Sequence, residues 1–149
     1  MEFTHSAALF LIPITVGILT EGIKFLNYIR KHGFDINYSI AYGHMPSAHT
    51  AYVVSLVTTM WVFEGYTSSA FAIALIVAII VIMDALRLRV YMGQYAKHIN
   101  DIVTHLKLDE SQFPVLKERV GHKPSEVLVG ALCGIALTLL LAAIRQSLI

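Results

Sequence analysis

Four apolar runs, each close to the length of a membrane-crossing helix, constrain this chain more than any other feature. They cover residues 7–25, 48–63, 69–83 and 127–144. A helix needs about 20 mostly apolar residues to cross the hydrocarbon core of a bilayer, and each run reaches that length once its flanks are included. The chain is 56% hydrophobic and 14% charged, whereas soluble domains carry about 25% charged residues. We therefore expect an all-α integral membrane helix bundle with about four transmembrane helices, forming a single domain over residues 1–149.

The long polar stretch at residues 96–120 is predicted to add an amphipathic segment on the membrane surface or as a cap on the bundle. One helical face is indicated by the spacing of its apolar residues Ile99, Ile102, Val103 and Leu106. Pro114 is expected to open a second short helix that Gly121 closes. The residues expected to turn inward from this helix are Phe113, Leu116 and Val120.

The alternating direction of the four spans separates the basic residues. Ten of the eleven Lys and Arg residues fall on one membrane face, and only Arg145 falls on the other. The positive-inside rule makes the basic face cytoplasmic. No basic region precedes the first apolar run, so we interpret that run as a span rather than a removable signal peptide. We expect a multi-pass protein of a bacterial-type cell membrane.

Ionisable and hydroxyl side chains from four helices converge on the basic face. Because such groups are costly at or within membrane helices, they tend to face a cavity or a partner. Basic side chains and the first turns of two helices together form a cradle for an anion such as phosphate. Two histidines beside a bound phosphate offer a nucleophile and a general acid. The converging residues are Glu21, Lys24, Ser47, His49, Asp84, Arg87, Arg89, His122 and Glu126.

The order of these residues resembles a known family. Met45-Pro46-Ser47-Ala48-His49 is similar to the Pro-Ser-x-His motif of the type 2 phosphatidic acid phosphatase and vanadium haloperoxidase superfamily. Its divergent branch is matched more closely, over nearly the whole chain, from Lys24 to the 121–127 motif Gly-His-Lys-Pro-Ser-Glu-Val. The further matching residues are Asp84, Ala85, Arg89, Gly93, Ala96 and Asn100.

The resemblance implies a membrane-embedded phosphatase that hydrolyses a lipid or isoprenoid phosphate or diphosphate without a metal or other cofactor. His122 matches the nucleophile that forms a phosphohistidine, Glu126 its acidic partner and His49 the general acid. Ser47 then binds a phosphate oxygen, and Lys24 and Arg89 balance the charge on the phosphoryl oxygens. Asp84 is expected to orient a cation of the site, with Arg87 beside it. The expected partners are a phospholipid or polyprenyl phosphate substrate and membrane lipids, with no nucleic acid.

Three departures from the family pattern affect these expectations. Position 116 is Leu where the larger superfamily has an Arg, so the phosphate-binding Arg has to be Arg89 or, failing that, Lys117 or Arg119. Lys24 is followed by Arg30 and Lys31 without the Pro of the first motif. Four spans are fewer than the usual six, which favours a homodimer that completes the bundle.

Simpler interpretations stand beside the catalytic one. Ser47 and Ser125 are suited to N-caps, Lys24 to an interfacial anchor, and Asp84 to an ion pair with Arg87. A GxxxG pattern at Gly130 and Gly134 and an alanine stripe in the third span indicate close packing, within the chain or between two copies. The alternative function is a non-catalytic transporter or scaffold that binds anionic headgroups. Vanadate-dependent halide oxidation is a third, and metal binding by His44, His49, His98 or His105 matches no ligand spacing.

Overall fold

The computed structural model describes residues 2–34, 45–109 and 111–148, and within them it is an all-helical bundle without strands. The helices are α1 (Glu2–His32), α2 (Ala48–Glu64), α3 (Ser69–Met83), α4 (Arg89–His105) and α5 (Pro124–Ser147), with a π-helical turn at Asp84–Leu88. Three helical stretches of this described part are long and apolar enough to cross a membrane: Ser6–Arg30, Ser69–His105 and Pro124–Ser147. The expected all-α membrane bundle of about four helices is confirmed; α2, with 17 residues, is shorter than the three candidate spans.

The short helix α2 lies at the centre and packs against α1, α3 and α5. Its buried positions carry small or hydroxyl side chains, among them Thr50, Ala51, Ser55 and Thr59. The Ser55 and Thr138 hydroxyl oxygens lie 2.6 Å apart and link α2 to α5. Protein on three sides explains the composition of α2, because a helix shielded from lipid can carry hydroxyls inside the bundle, although Thr59 Oγ1 has no hydrogen-bond partner among the described residues.

The two small-residue motifs are both used for packing inside the chain. Gly130 lies against the carbonyl of Ser47, and a Cβ on Gly134 would lie 2.6 Å from the carbonyl oxygen of Ala51. Ala74 and Ala78 of α3 are each only 4% exposed. Because glycine has no side chain, the GxxxG motif at Gly130 and Gly134 lets α5 pack directly against the backbone of α2.

The third span does not end where the sequence indicates. Its apolar run ends at residue 83, the span was expected to reach the membrane face at residues 84–89, and a separate surface segment was expected from residue 96. Helix instead continues without interruption from Ser69 to His105 over 37 residues. Asp84 looks like a helix end because hydropathy falls there, yet the π turn absorbs an extra residue without breaking the backbone hydrogen bonds. The expected surface segment is thus, in its first half, the continuation of a membrane helix.

The predicted short helix between Pro114 and Gly121 is wrong, because residues 114–120 form no helix. We call residues 106–123 the return segment, since it runs back along α4 toward the start of α5. The side chain of Asn100 donates to the carbonyl of Leu116 and accepts from its N–H, each at 2.9 Å. These two bonds hold the backbone of the return segment against α4. Phe113 is 45% and Leu116 39% exposed, so neither turns inward as expected, while Val120 is half-buried.

Candidate active site

Two backbone hydrogen bonds gather three parts of the chain at one end of the bundle. The N–H of Ser47, before α2, donates to the carbonyl of Glu126 in the first turn of α5 at 3.1 Å. The N–H of His122, before α5, donates to the carbonyl of Ala85 in the π turn, also at 3.1 Å. The starts of α2 and α5 therefore meet the π turn, which brings three of the four predicted groups of polar residues together.

The start of α2 supplies Ser47 and His49. Ser47 occupies the N-cap position, but its side chain makes no capping hydrogen bond; it is fully buried, with Oγ 2.9 Å from Oγ1 of Thr50. His49, in the first turn, is exposed. The prediction that Ser125 is an N-cap is wrong, because Ser125 lies inside α5 and Lys123 occupies the N-cap position. Pro124 explains this, because it begins the helix one residue earlier.

The π turn sets the position of Arg89. The N–H of Arg89 donates to the carbonyl of Asp84, five residues earlier, and its Nε lies 2.7 Å from Oδ2 of Asp84. In a regular α-helix, residues five apart point about 140° away from each other, so this ion pair depends on the wider turn. Asp84 thus orients Arg89, whereas Arg87, its alternative partner in the sequence, is exposed nearby.

His122 is buried, with 9% of its surface exposed, and its Nδ1 has no hydrogen-bond partner among the described residues. Glu126, 6% exposed, accepts from the N–H of Lys123 through Oε2 at 3.0 Å and so caps α5. The expected contact between Glu126 and the imidazole is therefore not a hydrogen bond in this structure. A buried polar atom without a partner is unusual and often marks a functional group.

The charges of the predicted site act on His122. Burial lowers the pKa of this imidazole, and the positive charges of His49, Lys24 and Arg89 lower it further, while Glu126 opposes them. Lys24 comes from α1, where it is 13% exposed and pairs with Glu21 at 3.1 Å. The structure therefore brings residues from α1, α2, the start of α4 and α5 within electrostatic reach of one histidine.

Two cavities open at this end of the bundle. The larger, about 670 Å³, has polar walls of His49, Asp84, Arg87 and Arg89. Its apolar lining residues are Ile80, Val81, Met83, Leu88 and Tyr91. The smaller, about 140 Å³, is lined by His122, Glu126, Lys123 and Arg119. The two histidines thus lie at the same end of the molecule but open onto different cavities.

Arg119 is the residue whose position the sequence indicated least. It appeared there only as a minor substitute for the missing Arg of the third motif, yet it shares the small cavity with His122. The helical interpretation of residues 114–121 concealed this proximity. Small and amide side chains at Gly93, Ala96 and Asn100 could have indicated that a segment packs against this face of α4.

Within the described ranges, no group of three or more His, Cys, Asp or Glu side chains is arranged to hold a metal ion. His44, one of the histidines considered above as metal ligands, lies outside the residues that the structure describes.

Comparison with known proteins agrees with the fold and with the motifs. The profile described as "Divergent PAP2 family" matches residues 5–137. The uncharacterized membrane protein YuiD of Bacillus subtilis (strain 168) is 36% identical over 129 residues, covering 78% of this chain and 82% of YuiD. No solved structure matches the chain.

Proposed function

Because the chain belongs to the divergent PAP2 family, we propose that this multi-pass membrane protein is a phosphatase that hydrolyses a lipid or isoprenoid phosphate or diphosphate. The observation that carries the proposal is the environment of His122, a buried histidine on which the charges of Lys24, His49 and Arg89 converge from three other elements. Cations gathered around a neutral imidazole suit a nucleophile that attacks an anionic phosphoryl group.

His122 attacks through Nε2, because its Nδ1 is fully buried. A bond forms between Nε2 and phosphorus, while the bond from phosphorus to the leaving oxygen breaks and that oxygen takes a proton from His49. Water then attacks the phosphohistidine, gives a proton back to His49 and releases inorganic phosphate. Glu126 caps α5 with Oε2, and its negative charge favours the positive charge that develops on the His122 ring.

The phosphoryl oxygens are held by basic side chains in fixed orientations. Arg89 is aligned by its ion pair with Asp84, and Lys24 lies mostly buried beside Glu21. Such preorganised donors stabilise the charge that develops in the transition state. Arg87, on the wall of the larger cavity, suits a second phosphate or a headgroup oxygen.

An amphiphilic substrate fits the larger cavity, which joins charged residues to an apolar wall from α3. Ile80 and Met83 on that wall are 62% and 52% exposed on the side of a membrane-spanning stretch. A headgroup at His49 and Arg89 leaves the hydrocarbon tail along α3 in the bilayer. The site lies at the membrane face to which the order of the spans assigns ten of the eleven Lys and Arg residues. Because basic residues are enriched on the cytoplasmic side, we assign the site to the cytoplasmic face.

The second candidate is a transporter or scaffold that binds anionic headgroups without catalysis. One observation favours it: His49 and His122 line separate cavities rather than one. Binding to the larger cavity alone would use Arg87 and Arg89 and leave His122 without a role.

Phosphate release from phosphatidate, phosphatidylglycerophosphate and prenyl diphosphates by the detergent-purified protein separates the two candidates. His122→Ala should abolish release from the best substrate, whereas His105→Ala, an exposed histidine in the last turn of α4, should retain it. Vanadate, which mimics pentacoordinate phosphorus, should inhibit. Headgroup binding that survives His122→Ala, with no release from any of the three lipids by the unmodified protein, would establish the non-catalytic alternative.

A further inference from the structure

Helix α4 and its flanks carry a continuous apolar stripe, of which only the first residue, Leu88, also lines the larger cavity of the site. Its six residues follow one another at intervals of four, three, four, three and four, the spacing of a coiled-coil seam. All six are between 47% and 65% exposed. They are Leu88, Met92, Tyr95, Ile99, Ile102 and Leu106.

The return segment covers a different face of α4 and leaves this stripe bare. It packs against Gly93 and the side chain of Asn100, and Ala96 between them is 8% exposed. Among the described helical elements, α4 packs mainly against the π turn that it continues. Neither the bundle nor the return segment therefore covers the stripe.

Most of the stripe lies beyond the part of the helix that is needed to cross the bilayer. Residues 69–88 of α3 and the π turn are enough for about 30 Å of helix, which is the thickness of a hydrocarbon core. The 17 residues of α4 add about 25 Å more. The helix is unbroken from Ser69 to His105, so α4 begins where this length has already been reached. An apolar surface of this extent outside the hydrocarbon core marks an interaction site.

We propose that α4 pairs with α4 of a second copy of this chain, in parallel, about a two-fold axis along the membrane normal. Copies in one membrane share their orientation, so their α4 helices rise side by side and each seam residue faces its counterpart. The neighbouring positions are Ala96 and Val103 on one side and Tyr91 and His98 on the other. Lys97 lies on the opposite side of α4 from the seam. Apart from Arg89 at the start of the helix, no Lys or Arg of α4 would therefore face the same residue of the second copy and repel it.

Cysteine cross-linking in native membranes tests the pairing. In a chain whose one cysteine is removed by Cys133→Ala, Ile99→Cys should form a covalent dimer under mild oxidation, since facing seam residues come within disulfide reach. Lys97→Cys, exposed on the opposite side of the same helix, should give severalfold less dimer. No dimer from Ile99→Cys, or equal yields from the two variants, would overturn the proposal.

A second measurement identifies what covers the stripe. Ile99→Glu should convert the detergent-solubilised dimer to monomer in light scattering, with helix content unchanged, whereas Lys97→Glu should leave the dimer intact. A monomeric unmodified protein, or a dimer that survives Ile99→Glu, would contradict pairing through α4. If Ile99→Cys is shielded from a water-soluble maleimide and does not cross-link, lipid or another protein covers the stripe, and the proposal fails.

Discussion

Arg89 and Asp84 form an ion pair across one π-helical turn, with Nε and Oδ2 2.7 Å apart. Their separation of five residues faces them toward each other only where the helix widens. Both side chains are about one-third exposed, at 31% and 34%, so the pair contributes little to the free energy of unfolding. Its value is the orientation that it gives to a cation at the wall of the larger cavity.

Asp84→Asn should therefore impair activity more than stability. Loss of the carboxylate frees the Arg89 guanidinium, and misplacement of a phosphate-binding group by about 1 Å costs up to about a hundredfold in rate. We expect kcat/KM to fall between about tenfold and a hundredfold, with the melting temperature nearly unchanged. Asp101→Asn, an exposed carboxylate on α4, is the matched control and should leave both unchanged. Equal effects of the two substitutions would show that the ion pair does not position Arg89.

His49→Ala should act through the leaving group. A general acid contributes about 10²-fold to 10⁴-fold, and its loss matters most when the leaving oxygen is a poor one. Hydrolysis of a lipid phosphate should fall by that amount, whereas hydrolysis of p-nitrophenyl phosphate, whose leaving group needs no proton, should fall far less. Equal losses for both substrates would remove His49 from the proton transfer.

The pH dependence follows from His122. Burial and the neighbouring cations hold its pKa below its ordinary value of 6.5, so the neutral nucleophile persists into mildly acidic solution. The acidic limb of kcat/KM should therefore lie below pH 6.5, and the two-histidine scheme adds a second fall at higher pH. A rate that does not change across this range would contradict the two-histidine scheme.

The same pKa makes folding depend on pH. Between the lower folded value and the unfolded value of 6.5, the unfolded chain binds the proton more readily than the folded one. The stability associated with neutral His122 is fully present above pH 6.5 and is lost as the pH falls through the folded pKa. Denaturation monitored by helix content should reveal this loss in the unmodified protein and a smaller one in His122→Phe.

Gly130→Ala tests the contact between α5 and α2. The added methyl group would meet the carbonyl of Ser47, so α5 has to move away from α2 and carry Glu126 with it. Overpacking of this kind costs about 1–3 kcal/mol, and activity should fall together with the melting temperature. Gly22→Ala, where nothing lies within 4 Å, should raise stability by about 0.5–1 kcal/mol through helix propensity. A stable and active Gly130→Ala protein would contradict the close packing.

Arg119 and Arg89 are rival replacements for the missing third-motif Arg, and vanadate affinity distinguishes them. Arg119 shares the small cavity with His122, so Arg119→Ala should weaken inhibition by vanadate about tenfold or more if that cavity receives the phosphoryl group. Lys117→Ala, two residues earlier in the return segment, is the control. A loss confined to Arg89→Ala would assign phosphate binding to the larger cavity instead.

The sequence was sufficient to predict the bundle and the end at which the polar residues gather, because long apolar runs alternate in direction whatever their packing. It failed where a distant contact decides the local structure. Pro114 and Gly121 have the composition of helix boundaries, but Asn100, 16 residues before Leu116, binds its backbone and holds the segment against α4. The π turn likewise has no local signature, since Asp84 after an apolar run resembles an ordinary helix end. The proximity of Arg119 to His122 was obscured by the same long-range contact.

The main-chain bonds from Ser47 to Glu126 and from His122 to Ala85 have an evolutionary consequence. Neither bond uses a side chain, so substitutions at these four positions leave both donors and both acceptors in place unless proline is introduced. The relative positions of the start of α2, the start of α5 and the π turn therefore do not depend on the side chains at these four residues. Individual side chains at this end of the bundle can therefore change while the main-chain scaffold that presents the remaining ones is kept.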